Sequence, residues 1–385
     1  MRSVRTHAPR RGRRRAALAL VALVGAGIAL AGAPAGAQAA LAGLQDDRIS
    51  VDPESGIEAR ADLLARSRTR VSRVDLLWSE AAPTRPARPR DPDDPAYRFA
   101  RWDRIAAALT ARGIRPIFTI YSSPAWAAGG RRAPAGRQVN PNAPAPAAFA
   151  AFVQAVATRY SGRFTDPATG RPIPQVRHLE MWNEPNLAGF LRAGSRVAPV
   201  GTYVRMVRAA YPAVHRGNRR AVVIVGAGGP RSSTDRNGIS AESFQRSLLR
   251  AKVKMDAFSQ HVYPAAGPLQ ATRAIPAWRT LPVLLDALER ARPRTPFLIT
   301  EAGYTTARTP FRTVKVSPAQ QARFLRQIFA LPAVRTRVAL VVWYQMEDNP
   351  NWPGGLLRAG GSRKPSWAAF QSVARRGPIP VVLRR

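Results

Sequence analysis

The 385 residues contain no cysteine, and only four histidines: His7, His178, His215 and His261. The first absence excludes disulfides, thiol nucleophiles and cysteine-ligated metals. The second leaves too few imidazoles for a histidine-rich metal centre. Acids are scarce too, with 23 Asp and Glu against 60 Lys and Arg and a formal net charge of +37. Almost all the bases are Arg, scattered among abundant Ala, Pro and Gly rather than gathered in a stripe with interleaved aromatics. That scatter reads as compositional drift. An anionic polysaccharide is the functional reading of the charge, well ahead of nucleic acid, and no nucleic-acid partner is expected. A dinucleotide fingerprint is also missing: "VGAGGP" lacks the last glycine of G-x-G-x-x-G and reads as a strand-end loop.

The N-terminus carries a three-part pattern. "MRSVRTHAPRRGRRR" has seven Arg and no acid, "AALALVALVGAGIALAGA" is apolar, and Ala37-Gln38-Ala39 fits a small-x-small cleavage site. Residues 1–39 are expected to be a secretory signal cleaved near Ala39, which removes seven positive charges and leaves a secreted chain with no membrane attachment. An uncleaved anchor is the alternative, because the apolar stretch approaches spanning length.

From Leu41 onward, short β-rich runs alternate with longer helical patterns. The expected strands are 43–51, 70–78, 114–121, 176–182, 221–227, 255–263, 296–303 and 337–345, each followed by an amphipathic helix. Continuous apolar strands between such helices mean a parallel sheet covered by helices. Eight units in order predict an α/β fold, a (β/α)8 TIM barrel, as a single catalytic domain over 40–385. A doubly wound open sheet is the alternative topology.

In such barrels chemistry sits at the C-terminal ends of the strands. The unusual polar residues fall there. "HLEMWNEPN" ends the fourth strand on Asn183 and Glu184, and "LITEAGY" ends the seventh on Glu301. "SQHVYP" ends the sixth on His261 and Tyr263. The third brings Trp126 in "IYSSPAW", and the eighth brings Trp343 in "VVWYQMEDN". Two carboxylates ending different strands of one barrel suit glycoside cleavage, one protonated for the leaving oxygen and one ionised to attack the anomeric carbon. No further His or Asp cluster completes a metal shell, so neither metal nor cofactor is expected.

"WNEPN" after a fourth strand, "TEAGY" after a seventh and "SRVDLLWSEAAP" at the second resemble the glycoside hydrolase clan with its two glutamates on strands four and seven. The chain is most similar to family 39 and its relatives, with family 5 close behind. The resemblance implies that Glu184 is the general acid/base and Glu301 the nucleophile. It implies that Asn183 meets the sugar's 2-hydroxyl, that Tyr263 and Arg73 hold Glu301, that His261 lines the same subsite, and that Trp343 is the platform under the sugar. The expected protein is a retaining glycosidase acting as a monomer on a polysaccharide or oligosaccharide. A catalytically silent sugar-binding barrel and a transglycosylase are the rival readings.

Blander roles compete with each assignment. His261 can be a satisfied core histidine, Tyr263 a packed turn aromatic and Trp126 simple packing. Arg73 and Asp75 share a strand face and can pair with each other or with Glu180 as a buried network, in which Glu180 is structural. Strand alternation also points Asn183 and Glu184 to opposite faces unless the strand has already ended, as Pro185 suggests.

Overall fold

A computed structural model describes residues 40–310, 312, 314–374 and 380–384. The expected leader lies outside the described residues. The barrel strands are β1 (Leu41–Gln45), β2 (Val71–Leu77), β3 (Arg115–Tyr121), β4 (His178–Met181), β5 (Val222–Gly228), β6 (Ala257–Val262), β7 (Phe297–Ala302) and β8 (Val338–Tyr344). All neighbours pair in parallel, and β1 pairs with both β2 and β8, so the sheet closes on itself. Between them run α1 (Ile57–Ser67), α2 (Ala100–Ala111), α3 (Pro146–Arg159), α4 (Val200–Gly217), α5 (Ala241–Arg250), α6 (Leu281–Ala291) and α7 (Pro318–Ala330), with α8 (Pro365–Ala374) after β8. This is the (β/α)8 barrel expected from the alternation, and the open sheet is excluded.

Alternation along the strands sorts the core into two layers. Leu41, Val71, Ile117, Ile224, Leu298, Leu340 and Val342 fill the barrel interior, and Leu383 of the short C-terminal helix joins them. The same tail segment offers the Val382 carbonyl to His178 Nε2 at 2.9 Å, so the N-terminal end of the barrel is stoppered. The opposite residues of each strand pack under the helices. Local signals set the helix ends. Gly113 takes φ +69° just after α2, where a Cβ is unfavourable. Ser317 and Gln320 form a reciprocal capping box at the start of α7. No helix among the described residues is long and apolar enough to cross a membrane.

The first strand differs from its expected place over 43–51. It runs Leu41–Gln45, and Arg48–Val51 is a helical turn. The reason is the acidic pair that follows β1. Asp46 accepts two hydrogen bonds from the Arg60 guanidinium, at 2.6 and 2.7 Å, and its carbonyl accepts from the Ile49 N–H, which turns the chain. Long connections leave the C-terminal ends of β2, β3 and β4, the last carrying a small antiparallel ribbon, Arg192–Ala193 with Arg196–Val197. These loops rise around the end of the barrel where the polar residues collect.

Candidate active site

β4 stops at Met181, and the chain then leaves strand geometry abruptly. Trp182 and Glu184 take positive φ, 75° and 41°, a conformation that bulky residues rarely adopt and that needs outside support. The support is present. The Trp182 N–H donates to the Ile120 carbonyl at 3.0 Å and the Glu184 N–H to the Ala227 carbonyl at 2.9 Å. Tyr203 donates its hydroxyl proton to the Met181 carbonyl at 2.5 Å. The Asn186 side chain ties the loop to its neighbours, accepting from Gly229 N–H at 2.6 Å and donating to the Ile239 carbonyl at 2.8 Å. Gly229 leaves room for this packing. A Cβ on it would meet the Leu187 side chain at 2.6 Å and the Glu184 carboxyl carbon at 3.2 Å. The twist removes the alternation conflict, and Asn183 and Glu184 both join the polar cluster at the mouth.

Glu301 sits near the end of β7, 8% exposed, as is Glu184. One carboxylate oxygen from each, together with a ring nitrogen of His261, lie within 4.8 Å of one another. The environments of the two acids differ. Glu301 Oε1 accepts from Arg73 Nη1 at 2.6 Å, and its Oε2 accepts from the Tyr263 hydroxyl at 2.7 Å. Glu184 Oε1 faces His261 Nδ1 at 2.9 Å, and the same nitrogen lies 3.4 Å from Glu301 Oε2. Burial holds His261 below its ordinary range, against the upward pull of Glu301, Glu180 and Asp75.

Burial pushes both carboxyls up, to about 7 each. For Glu184 the opposing cations are Arg73 and then Arg312. For Glu301, His261 and Arg73 oppose the burial while the neighbouring Glu184 adds to it. Two acids this close titrate as a pair. The order within the pair follows from direct contacts. Glu301 touches a guanidinium and a phenol, which favour its ionised form, whereas Glu184 touches an imidazole. These contacts favour the charge on Glu301 and the proton on Glu184.

Arg73 is fully buried and binds four partners at once. Besides Glu301 these are Glu180 Oε2 at 2.7 Å, Gln45 Oε1 at 2.8 Å and Asn183 Oδ1 at 2.7 Å; Asp75 is 3.7 Å away. Glu180 is completed by the Thr119 hydroxyl at 2.8 Å and the Ser259 hydroxyl at 2.7 Å. The network considered from spacing thus exists, and it is continuous with the paired acids rather than separate from them. Glu180 has the structural place expected of it. A metal would find donors only in the Glu184, His261 and Glu301 set among the described residues. Both Glu301 oxygens there are already bonded, one of them to a cation.

Two aromatic residues are not brought into the cluster as expected. Trp343 is 1% exposed and packs in the layer between barrel and helices, its indole donating to the Gly354 carbonyl at 3.1 Å. Strand phase explains this. Leu340 and Val342 point inward, so Trp343 points outward and Tyr344 takes the mouth position. Trp126 is part-buried, donates to the Ala82 carbonyl at 2.9 Å and packs edge-on against Trp78. The aromatic wall beside Glu301 is instead Tyr263, Tyr344 and Trp352, with Trp352 4.7 Å from Tyr263 and 5.5 Å from Tyr344 between ring centres. Tyr344 also donates to Asp47, whose own carboxyl is pushed up to about 7 by burial and by Asp75 nearby. The inward phase of Leu340 and Val342 was a readable signal for Tyr344. Gln45 ends a faintly patterned strand and Trp352 lies on a loop, so strand phase marks neither.

Residues 86–376 match the family described as glycosyl hydrolases family 39. The chain belongs to that family. Solved structures agree on the fold. A family 39 glycoside hydrolase from the gut symbiont Bacteroides cellulosilyticus WH2 aligns with a TM-score of 0.62 at 20% identity, covering 88% of this chain and 64% of that one. A monomeric beta-xylosidase from Caulobacter crescentus CB15 aligns at 0.61 and 19% identity, covering 89% and 70%. A GH5_18 protein from Streptomyces cattleya in complex with GlcNAc gives 0.62 and 16%, covering 89% and 82%. This family 39 chain thus spans about two thirds of the length of the Bacteroides protein. A comparison with curated proteins returns no match.

Proposed function

We propose that this family 39 protein is a retaining glycosidase in which Glu301 is the nucleophile and Glu184 the general acid/base. The observation that carries the reading is the unequal pair: two buried carboxyls with oxygens within 4.8 Å, one bonded to Arg73 and Tyr263 and the other to His261. That approach suits direct attack, for which carboxyl groups about 5–5.5 Å apart are needed, rather than the wider spacing of about 6.5–9.5 Å that admits a water in an inverting site. Glu301 attacks the anomeric carbon while Glu184 gives its proton to the departing oxygen. A glycosyl ester forms on Glu301. Glu184, now ionised, takes a proton from water, which releases the sugar with its original configuration. With its oxygen held by Arg73, Asn183 has its amide nitrogen left to donate to a sugar hydroxyl. Tyr344 and Trp352 offer the apolar faces on which a pyranose rests.

The substrate is a polysaccharide or oligosaccharide. The chain acts outside the cell as a monomer after loss of residues 1–39, with 40–385 as its catalytic domain. The leader pattern supports export, and the basic surface supports an anionic glycan over a neutral one. A screen of the purified protein against polysaccharides and aryl glycosides, with Glu301→Gln as control, tests the reading. Sugar release by the parent and none by the variant is expected; equal release by both refutes the assigned nucleophile.

A further inference from the structure

The deeply buried arginines of this protein are matched by acids. Arg60 binds Asp46 and Glu347, Arg73 binds Glu180 and Glu301, and Arg159 binds Asp103. Arg312 is the contrast. It is part-buried at the mouth of the barrel, and among the described residues no carboxylate lies within ion-pair distance of it. Its one side-chain hydrogen bond to a described residue runs from Nη2 to the Tyr263 carbonyl, at 3.1 Å. Two aromatic rings hold its guanidinium in place, that of Tyr263 at 5.3 Å and that of Trp352 at 5.0 Å. Ring faces attract a cation without accepting its N–H groups in the plane. Of five N–H donors, most therefore stay available.

What those donors face is space. Arg312 lines a cavity of about 310 Å³, together with Tyr263, Pro230, Ser232, Tyr304 and Thr305. Tyr263, which lines it, binds Glu301. The cavity thus reaches the residue that holds one of the two acids. The charge of Arg312 also acts on Glu184, lowering its proton affinity. Burial pulls the guanidinium's own pKa down, a cost that an anionic ligand would offset.

Resting on the glycosidase reading above, we propose that Arg312 is a specificity-determining residue that binds an anionic substituent of the substrate, a carboxylate or a sulfate ester on a sugar ring. A planar fork with free edge donors matches such a group in a paired hydrogen bond, and the aromatic clamp fixes the fork beside the cleavage site. The site would select acidic sugars through one positioned contact, independently of the diffuse surface charge.

The test uses binding, so that it does not depend on turnover. Glu301→Gln and the double variant Glu301→Gln/Arg312→Gln are titrated in a calorimeter with oligosaccharides of polygalacturonate, alginate and hyaluronan. Each is compared with its carboxyl-reduced product, and dextran sulfate oligosaccharides are compared with plain dextran. At least one charged member is expected to bind the single variant about 10- to 100-fold more tightly than its neutral partner, and the double variant is expected to lose that ratio. Preference within a uronate pair assigns a carboxylate, and within the dextran pair a sulfate. Arg312→Lys, which keeps the charge but not the fork, is expected to retain only part of the ratio. It also serves if the Gln variant fails to fold. Equal binding within every pair, a ratio that survives in the Arg312 variants, or no binding of any charged member overturns the proposal. Cleavage of a neutral glycan by the parent protein with no charge preference defeats Arg312 alone. Charge-selective binding with no bond cleaved by the parent defeats the glycosidase reading alone.

Discussion

Replacing Arg73 with Met removes the cation that a buried set of acids shares, and the cost should depend on pH in a definite sense. Arg73 and Glu180 are both 0% exposed and 2.7 Å apart. Deleting one member of such a pair costs about 3–5 kcal/mol, because the other charge is left uncompensated. In the parent protein burial works against Glu180, yet Arg73, His261 and Ser259 together hold its pKa below the ordinary value. A carboxyl with a depressed folded-state pKa stabilises fully above its unfolded pKa of about 4.3, and that stability fades as pH falls through the folded value. Without Arg73 burial dominates and the folded pKa rises above the unfolded one. The sign then reverses: the folded state binds the extra proton, and stability is lost as pH rises past about 4.3. Glu301, already pushed up to about 7, moves further up for the same reason. Chemical denaturation of parent and Arg73→Met from about pH 4 to 7.5 should show a stability gap that is widest at neutral pH and narrows toward the acid end. The acid limb of kcat/KM should shift to higher pH in whatever activity remains. A gap below about 1 kcal/mol, or one constant across that range, would refute the charge-compensation argument.

Three further outcomes follow from the same geometry. Glu184→Gln should lower kcat by about 10²–10⁴-fold on substrates with poor leaving groups, and far less on aryl glycosides whose phenolate departs unaided; an equal loss on both removes Glu184 from the acid role. Tyr263→Phe deletes the 2.7 Å hydrogen bond to Glu301, a contact to a charged group. It should cost about 10- to 100-fold in kcat with a smaller change in KM, and a pure KM effect would contradict its placement on the nucleophile. Trp352→Ala should raise KM, whereas Trp343→Phe should lower the melting temperature with KM little changed, because the Trp343 indole is bonded to Gly354 under the helices; the reverse pattern restores Trp343 as the platform.

Much of the architecture is legible in the chain itself. Eight apolar runs separated by amphipathic helices have one closed arrangement, and barrel geometry then places strand-end polar residues at one mouth. That is why Glu184, Glu301, His261 and Tyr263 can be named from the chain and are found together; Arg73, inside β2, is named by the family resemblance. The limits are physical as well. The boundary of β1 depends on Asp46 meeting Arg60, a contact that periodicity does not carry. The left-handed residues Trp182 and Glu184 reflect tertiary support from Ile120, Ala227 and Tyr203. Chemistry therefore demands that Asn183 and Glu184 share the mouth, but strand periodicity alone offers no reason why they do. Trp343 shows what happens when chemistry is weighed ahead of phase: alternation from Leu340 and Val342 puts Tyr344, not its neighbour, at the mouth. Trp352 and Arg312 come from loops, where no period exists to read.

The central claim is that Glu301 forms a covalent bond to the sugar. A panel of 2-deoxy-2-fluoro glycosides with activated leaving groups, followed by peptide mass spectrometry, measures it most directly, since such reagents trap the glycosyl-enzyme by slowing its hydrolysis. The account predicts that an inactivating reagent adds one sugar per chain, on Glu301 and nowhere else, and that Glu301→Gln is not labelled. A sugar attached to Glu184 or to any other residue, or turnover through a species that never labels the protein and gives inverted product, contradicts it.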